Sequence, residues 1–372
     1  MAEPPLAART LRRIDEVAAQ DWDRLAGDGN PFPRHGFLQA LEASGSAGAK
    51  TGWQPCHLVV EAGKALVAAA PLYAKSHSYG EYVFDHGWAD AFRRAGGRYY
   101  PKLQLAVPFT PVPGPRLLAR DAASREGLVA ALMAVTERLG VSSLHVTFCT
   151  EAEAQLLEGH GFLIRHGVQY HWRNQGYASF ADWLASLKSA RRKMIKKERE
   201  QVRAAGVELE ALHGDTLRAG VLDEFFPFYL ATVDKRWGNA YLSRDFFHRL
   251  GTELKDRVVL VVARHEGRMV GAALNLRGAD TLYGRQWGCL EEFRFLHFEA
   301  CYYQAIEFAI RHGLSWVEAG AQGSHKLHRG YEPVLTYSAH HIPHPGFHAA
   351  VARFLEQERQ EMAEQLTELR DL

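Results

Sequence analysis

The sequence predicts an α/β (α+β) fold of two similar halves, each with a mixed, mainly antiparallel sheet flanked by helices. The order strand–turn–strand, strand, helix, strand occurs twice along the 372 residues. Both halves place a glycine-containing turn between apolar strands, in CHLVVEAGKALVAAAPLYAK and in VVLVVARHEGRMVGAALNLRG. Both later send a helix into a short strand. The shared order favours a tandem duplication, so residues 56–73 and 258–278 should occupy equivalent sheet positions.

The first half has helices before its sheet and a longer helix within it. Its predicted elements are, in order, helices over residues 15–26 and 37–43, a strand pair over 56–73, a strand over 79–84, a helix over 126–139, a strand over 144–148, a helix over 151–159 and a closing strand over 167–175. The segment AVPFTPVPGPRLLA is rich in proline, which predicts extended edge or loop structure.

The second half opens with helices and then repeats the pattern. Its predicted elements are helices over residues 180–205, 216–233 and 245–254, a strand pair over 258–278, a strand over 281–287, a helix over 298–312, a strand over 315–318 and a charged terminal helix over 347–369. Gly313 is placed to end the long helix. We expect an N-terminal domain over 1–167, a C-terminal domain over 168–346 and a C-terminal helix over 347–372.

Composition is that of a globular protein, with 47% hydrophobic residues, 23% charged residues and a net charge of +1. Near-neutral charge argues against a protein that coats nucleic acid. The four cysteines have no CxxC spacing, which predicts reduced thiols and a cytoplasmic location. No apolar run approaches the roughly 20 residues that span a bilayer, and the N-terminus does not resemble a signal peptide. Peripheral contact with a membrane stays open.

A polar loop after the last short strand is the main candidate site. Ligands of α/β proteins usually lie where strands end, and glycines let the backbone bend sharply there. The alternative is a surface loop that is merely polar. The glycines of this loop are Gly320, Gly323 and Gly330, and its polar side chains are Gln322, His325, Lys326, His328, Arg329 and Tyr331.

Three residues of this loop suit acyl transfer to an amine. Lys326 or Arg329 could stabilise the negative charge that develops on the carbonyl oxygen. His328, when neutral, could accept the proton of the amine. The alternative is a solvated basic loop. We predict that these residues line a crevice between the halves.

Further candidates lie outside the loop. Glu299 is a possible base, although a helix dipole alone favours an acid in the first turn. The segment Lys235, Arg236 and Trp237 could bind a diphosphate and stack on a flat ring, or it could simply complement a helix C-terminus. We expect it opposite the loop, and the remaining wall or substrate-binding residues are Arg285, Gln286, Tyr302 and Tyr303.

A basic helix face and an excess of histidines need separate consideration. The face could contact RNA phosphate or an anionic membrane surface, or be only solvated. Its residues are Arg191, Arg192, Lys193, Lys196, Lys197 and Arg199. There are 19 histidines, but no HExxH or paired CxxC, so we expect no metal site. No G-x-S-x-G elbow is present, which argues against a serine hydrolase.

Three stretches resemble the FemAB-like, or peptidoglycan biosynthesis/recognition, family of the acetyltransferase-like (GNAT) superfamily. They are DKRWG, HFEACYYQAIEFAI and GAQGSHKLHRGYEP. The basic helix SLKSARRKMIKKEREQVRAAGVELE also resembles the one that opens the second half of FemAB-type peptidyltransferases. The resemblance covers about the whole chain. It implies two GNAT-like domains in tandem and places HKLHRGYEP at the catalytic end of the second.

The resemblance also implies an activity of bacterial cell-wall synthesis. It implies transfer of an activated aminoacyl or acyl group onto an amine of a cell-wall precursor, with no bound cofactor and with aminoacyl-tRNA as the expected donor. Acyl-CoA is less favoured, since EEFRFLHFEACYYQ has no glycine where acetyl-CoA enzymes hold pyrophosphate on glycine amides. Two alternatives stay open: a non-catalytic module that recognises cell-wall fragments or another anionic ligand, and an acyl-CoA enzyme acting on a small amine.

Overall fold

The computed structural model of the protein describes residues 5–236, 240–320 and 323–371, with only the backbone of residues 234–236 and 371. Its strands are, in chain order, β1 (Leu6–Leu11), β2 (Trp53–Pro55), β3 (His57–Ala62), β4 (Ala65–Ala70), β5 (Leu72–Lys75), β6 (Lys102–Leu105), β7 (Leu118–Ala119), β8 (Leu144–Cys149), β9 (Leu163–Arg173), β10 (Val207–His213), β11 (Val258–His265), β12 (Arg268–Arg277), β13 (Thr281–Cys289), β14 (Trp316–Glu318) and β15 (Glu332–His341).

The α-helices are α1 (Ala19–Ala26), α2 (His35–Ala43), α3 (His86–Arg94), α4 (Ala122–Leu139), α5 (Glu151–Gly159), α6 (Phe180–Ser186), α7 (Ser189–Ala204), α8 (Val221–Arg236), α9 (Arg244–Glu253), α10 (Leu296–Phe298), α11 (Gln304–Arg311) and α12 (Pro345–Asp371). A π-helical turn, Glu299–Tyr303, joins α10 to α11, and a 3-10 turn, Ser324–Arg329, precedes β15. No described helix is both long enough and apolar enough to cross a membrane.

The chain forms two compact units. Unit 1 contains the residues up to Val168 together with Leu335–Asp371, and unit 2 is Gln169–Val334. Strands β9 and β15 therefore each contribute residues to both units. The contacts thus group the C-terminal helix α12 with the first half of the sequence, whereas the sequence alone suggested a separate segment after residue 346.

Unit 1 contains two groups of paired strands. The first, in the order β1-β3-β4-β7, is antiparallel throughout. In the second, β5 pairs antiparallel with β2 and β6, β6 pairs parallel with β8, and β8 pairs antiparallel with β15. Apolar residues of α4, such as Leu128 and Leu132, are buried with Val60 and Val67 in the core of this unit.

Unit 2 repeats this arrangement in a single group of strands, β10-β11-β12-β13-β14-β9. The first three pairings are antiparallel, β13 pairs parallel with β14, and β14 pairs antiparallel with β9. The helix between the two parallel strands is α4 in unit 1 and the α10–α11 segment in unit 2. The hairpins β3–β4 and β11–β12 thus hold equivalent positions, each beside a preceding edge strand.

Proline causes the main difference between the two hairpins. Pro71 has no N–H to donate, and it separates β4 from β5, which join different groups of strands. In unit 2, β12 continues through the same region with only a shift of register between Leu274 and Asn275. The predicted strand pair over 56–73 is therefore three strands, β3 to β5.

Several sequence predictions were wrong in detail. Residues 79–84 form no strand but a loop that leads into α3, because Glu81 is buried while Tyr79 and Phe84 are exposed, which is not the alternation of a half-buried strand. The helix predicted over 180–205 breaks at Leu187, whose backbone is extended. The sequence prediction also missed α3 and the strands β1, β2, β6, β10 and β15.

Candidate functional site

The carboxyl end of β14 lies in unit 2, beside a bulge of its parallel partner β13. The parallel pairing covers only Trp316–Glu318 of β14. Across from β12, Gln286 and Gly284 pair with adjacent residues, so Arg285 is the extra residue of a bulge. Bulges commonly re-aim side chains beside sites, and ligands of α/β proteins bind where parallel strands end. This end of β14 is therefore the expected place for a site.

A 3-10 turn, Ser324–Arg329, follows β14 and carries the predicted loop residues. Gly323 and Gly330 flank it with φ angles of 113° and 79°, which favour glycine. A Cβ on Gly330 would also lie 2.9 Å from the indole of Trp183. The turn is thus fixed by close packing.

Lys326 is a buried cation of this turn, with 1% of its surface exposed. Its Nζ donates to the carbonyl oxygen of Gly320 at 2.7 Å, and within the described residues no carboxylate lies in ion-pair contact with it. Burial lowers the pKa of Lys326 to about 8. An ammonium group has three donors, so this cation has spare hydrogen-bonding capacity.

Arg329, by contrast, is fully engaged. Its guanidinium donates to both carboxylate oxygens of Glu198, at 2.7 and 3.2 Å, and to the carbonyl oxygen of His325 at 2.9 Å. It also lies 3.5 Å from the ring centroid of Phe298. Tyr303 Oη donates to the same Glu198 carboxylate. This buried pair holds the 3-10 turn against α7.

Glu299 is also engaged, in the π-helical turn. Its carboxylate accepts a bifurcated hydrogen bond from Arg199 Nε, with its two oxygens at 3.0 and 3.1 Å, and a second hydrogen bond from Nη2 at 2.9 Å. Gln304 Nε2 donates to it at 2.8 Å. Arg199 further bonds Glu307 at 2.9 Å. α7 is therefore bonded to the π-helical turn through Arg199 and to the 3-10 turn through Glu198.

Tyrosines complete the packing around the turn. Tyr302 Oη lies 2.9 Å from His325 Nε2, and its ring contacts Tyr331 edge-on. Tyr331 is buried, and its hydroxyl has no hydrogen-bond partner among the residues that the structure describes. Such a buried orphan hydroxyl is uncommon and marks a place where a ligand group could be received. His328 is exposed on the turn.

Sequence reasoning missed two residues, Glu318 and His171. Glu318 ends β14 and is the cross-strand partner of His171 on β9, with 3.8 Å between Oε1 and Nδ1. Burial raises the pKa of Glu318 to about 8, against the opposing charge of Arg285. Burial and then the charge of Lys326 lower the pKa of His171 to about 3. The only sequence signal for Glu318 was its position as the last residue of a predicted strand.

The structure thus brings most of the predicted loop and tyrosine residues together within unit 2. Arg285 acts on Glu318 from β13, and Gln286 is half-buried one residue further on. The side chains of Lys235, Arg236 and Trp237, and Gln322, lie outside the described residues, so their predicted roles stay predictions. Among the residues that are described, no group of His, Cys, Asp and Glu could hold a metal ion.

Unit 1 contains a second buried polar cluster that the sequence did not reveal. Lys102 Nζ donates to Ser78 Oγ at 2.9 Å, to Glu81 Oε2 at 2.7 Å and to the Asp85 carboxylate. Tyr99 Oη also donates to Asp85, at 2.6 Å. Burial raises the pKa of Glu81 to about 7, even though Lys102 opposes the shift. This cluster fixes the loop that precedes α3.

Comparisons with known proteins agree with this architecture. The family model FemAB-like, described as peptidoglycan biosynthesis/recognition, matches residues 13–372. The crystal structure of FemX is similar at a TM-score of 0.57 and 10% identity, over 90% of this chain and 98% of that one. The structure of a protein of unknown function from Bacteroides thetaiotaomicron VPI-5482 is similar at a TM-score of 0.52 and 11% identity, over 89% of this chain and 98% of that one.

L-PGS from Bacillus licheniformis is similar at a TM-score of 0.50 and 10% identity, over 78% of this chain and 86% of that one. No curated protein sequence matches significantly. The α/β fold of two similar halves that the sequence predicts is confirmed. With a family match over nearly its whole length, the chain belongs to the FemAB-like, peptidoglycan biosynthesis/recognition family.

Proposed function

We propose that this protein is an N-acyltransferase that moves an activated aminoacyl or acyl group onto an amine of a cell-wall precursor. The reaction site is the end of β14 with its 3-10 turn. The amine nitrogen forms a bond to the carbonyl carbon of the donor, and the bond from that carbon to the leaving oxygen breaks. Negative charge develops on the carbonyl oxygen in between.

The proposal rests on the surroundings of Lys326. It is a buried cation with one described hydrogen bond, to the carbonyl oxygen of Gly320, and without a carboxylate partner in the described residues. The substrate's carbonyl oxygen can compete for this ammonium as its charge grows. An electrostatic contact of this kind is worth much more in a buried site than in water.

The other predicted catalytic residues have supporting roles in this proposal. Arg329 and Glu299 are held in buried ion pairs with α7, so they position the 3-10 turn and the π-helical turn. His325 and Tyr302 form a hydrogen-bonded pair beside them. His328, exposed on the turn, is available to the acceptor. Much of the rate enhancement then comes from proximity of the two substrates.

Family membership supports a peptidoglycan-related acceptor, and α7 suits a polyanionic donor such as aminoacyl-tRNA. Lys193, Lys196 and Lys197 are exposed on α7, whereas Glu198 and Ile195 are buried. A row of lysines binds phosphate without reading sequence. The same face would also allow peripheral contact with an anionic membrane.

The test is a transfer assay with labelled aminoacyl-tRNA and labelled acyl-CoA over a panel of muropeptides and simple amines. We expect transfer from aminoacyl-tRNA to an amine, and loss of it in Lys326→Met. Lys64→Met, at an exposed turn of unit 1, is the matched control. Binding of cell-wall fragments without turnover by any donor would instead identify a recognition module.

A further inference from the structure

We propose that Glu318 is the group that carries the proton in this reaction, with His171 as its positioning partner. The inference rests on the proposed function and deepens it. Glu318 lies at the end of β14, and its Oε2 is buried without a hydrogen-bond partner among the described residues. Its Oε1 lies 3.8 Å from His171 Nδ1, across the β14–β9 pairing.

Comparison with the neighbouring carboxylates shows why Glu318 is unusual. Glu198 and Glu299, also in unit 2, are more deeply buried, with side-chain exposures of 6% and 5% against 14% for Glu318, and each accepts a two-pronged hydrogen bond from an arginine. Those two groups are neutralised and structural. Glu318 has only a distant imidazole, so its carboxyl group is left able to gain and lose a proton.

The backbone of β13 packs closely against Glu318. A Cβ on Gly284 of β13 would lie 3.2 Å from the carbonyl oxygen of Glu318, so β13 contacts β14 there. The carbonyl oxygen of Gly320, two residues on, accepts the hydrogen bond from Lys326. The short stretch after β14 therefore joins a proton acceptor to the cation that would stabilise the oxyanion.

The chemistry balances without another reactant. The electron pair of the neutral amine forms the C–N bond, and the proton released from nitrogen goes to Glu318 Oε2. The C–O bond to the donor then breaks, and the leaving oxygen takes that proton from Glu318. The products are an amide and the alcohol of the donor, and the carboxylate is restored.

The groups that face Glu318 are consistent with a carboxyl group that titrates near neutrality. They are His171 of β9, Tyr283 and Arg285 of β13, and Asp280 before β13. Burial, assisted by Asp280 and opposed by Arg285, raises the pKa of Glu318 to about 8. A base works best when its pKa lies close to the working pH.

Glu318→Gln tests the inference in a single-turnover assay over a range of pH. We expect the wild-type rate to rise with pH up to about 8 as Glu318 deprotonates. Glu318→Gln should lose roughly 100-fold or more in rate and lose that rise, with acceptor KM changed about twofold at most. Glu266→Gln, at an exposed turn between β11 and β12, should match the wild type.

A second measurement does not depend on turnover. Infrared difference spectra of wild type against Glu318→Gln should show a protonated carboxyl group at pH 7 that disappears above pH 8. His171→Phe should move the midpoint of this titration and of the rate profile together, whereas a purely structural histidine would leave both midpoints in place.

Rates and pH profile unchanged in Glu318→Gln would overturn the role of Glu318 while leaving acyl transfer standing. If the wild type transfers no group from any donor, both the proposed acyl transfer and the role of Glu318 are wrong. The two failures therefore give different results.

Discussion

Both units bury lysines, and the surroundings of Lys102 in unit 1 and Lys326 in unit 2 differ. Lys102 in unit 1 is fully buried and bonded to two carboxylates and a hydroxyl. Lys326 in unit 2 is equally buried and bonded to one backbone carbonyl. A buried charge with saturated partners stabilises a fold once formed, whereas a buried charge with spare donors costs stability and is available for chemistry. Of these two lysines, Lys102 is thus structural and Lys326 is available, while Lys75, also buried in unit 1, lies 3.8 Å from Glu81.

The comparison is tested by removing the charge of Lys102 or of Lys326 and measuring the stability of each variant. Lys102→Met should destabilise unit 1 by about 3–5 kcal/mol, because Glu81 and Asp85 stay buried without their cation. The measurement is urea unfolding at pH 7, with Lys64→Met as control. A loss below about 1 kcal/mol would mean that the cluster is not held by Lys102.

Lys326→Met should lower the transfer rate but raise the stability of the protein at pH 7. We expect a loss of roughly 100- to 1,000-fold in transfer rate, the usual cost of removing one oxyanion donor. The folded pKa of Lys326, about 8, lies below that of an unfolded lysine. Its charge therefore costs stability below pH 8, and stability recovers as pH rises through 8 to 10.5, so Lys326→Met should raise the melting temperature at pH 7.

The pH dependence of the transfer rate provides a control for the role of Lys326. Lys326 loses its charge as pH rises through about 8, so the wild-type rate should fall on that side. Lys326→Arg keeps a cation at every accessible pH, and the fall should be absent in it even if its maximal rate is lower. The same alkaline limb in Lys326→Arg would contradict the assignment.

Arg329→Met should lower both the stability of the protein and the transfer rate. It leaves Glu198 with the hydroxyl of Tyr303 but without its cation, so the 3-10 turn should loosen and the protein lose about 3 kcal/mol. The rate should fall more than acceptor binding weakens, because the turn carries Lys326. Equal loss of both would mean that the residue only holds substrate. Kinetics at saturating acceptor and urea unfolding check the two parts.

Charge changes on α7 should have the smallest effect. Lys196→Gln and Lys197→Gln should each raise the KM for a polyanionic donor a few-fold at low salt, with kcat unchanged. The side chains are exposed, so stability should not change. Lys64→Gln, at an exposed turn of unit 1, is the control. An effect that does not shrink with added salt would rule out phosphate contacts.

Local pattern predicted the repeat and the loop but not the partners of the loop. The hairpins were visible because each places a glycine turn between apolar runs, and Lys326 was visible because polar residues follow a strand. The bond between Glu198 and Arg329 joins residues 131 positions apart, and no periodicity encodes it. Residues 79–84 were predicted to form a strand. The burial of Glu81 in a loop depends on Lys102, which is distant in sequence, so local pattern did not reveal it.

Residue order also bears on synthesis of the chain on the ribosome. Unit 2 is complete once Val334 has emerged, but unit 1 needs Leu335–Asp371. Strand β15 pairs with β8, and Ile342, Phe347 and Leu355 enter one apolar core with Trp88. The first unit to begin is therefore the last to finish. Nascent chains stalled when Val334 has just emerged from the ribosome should resist protease in unit 2 while unit 1 is still digested.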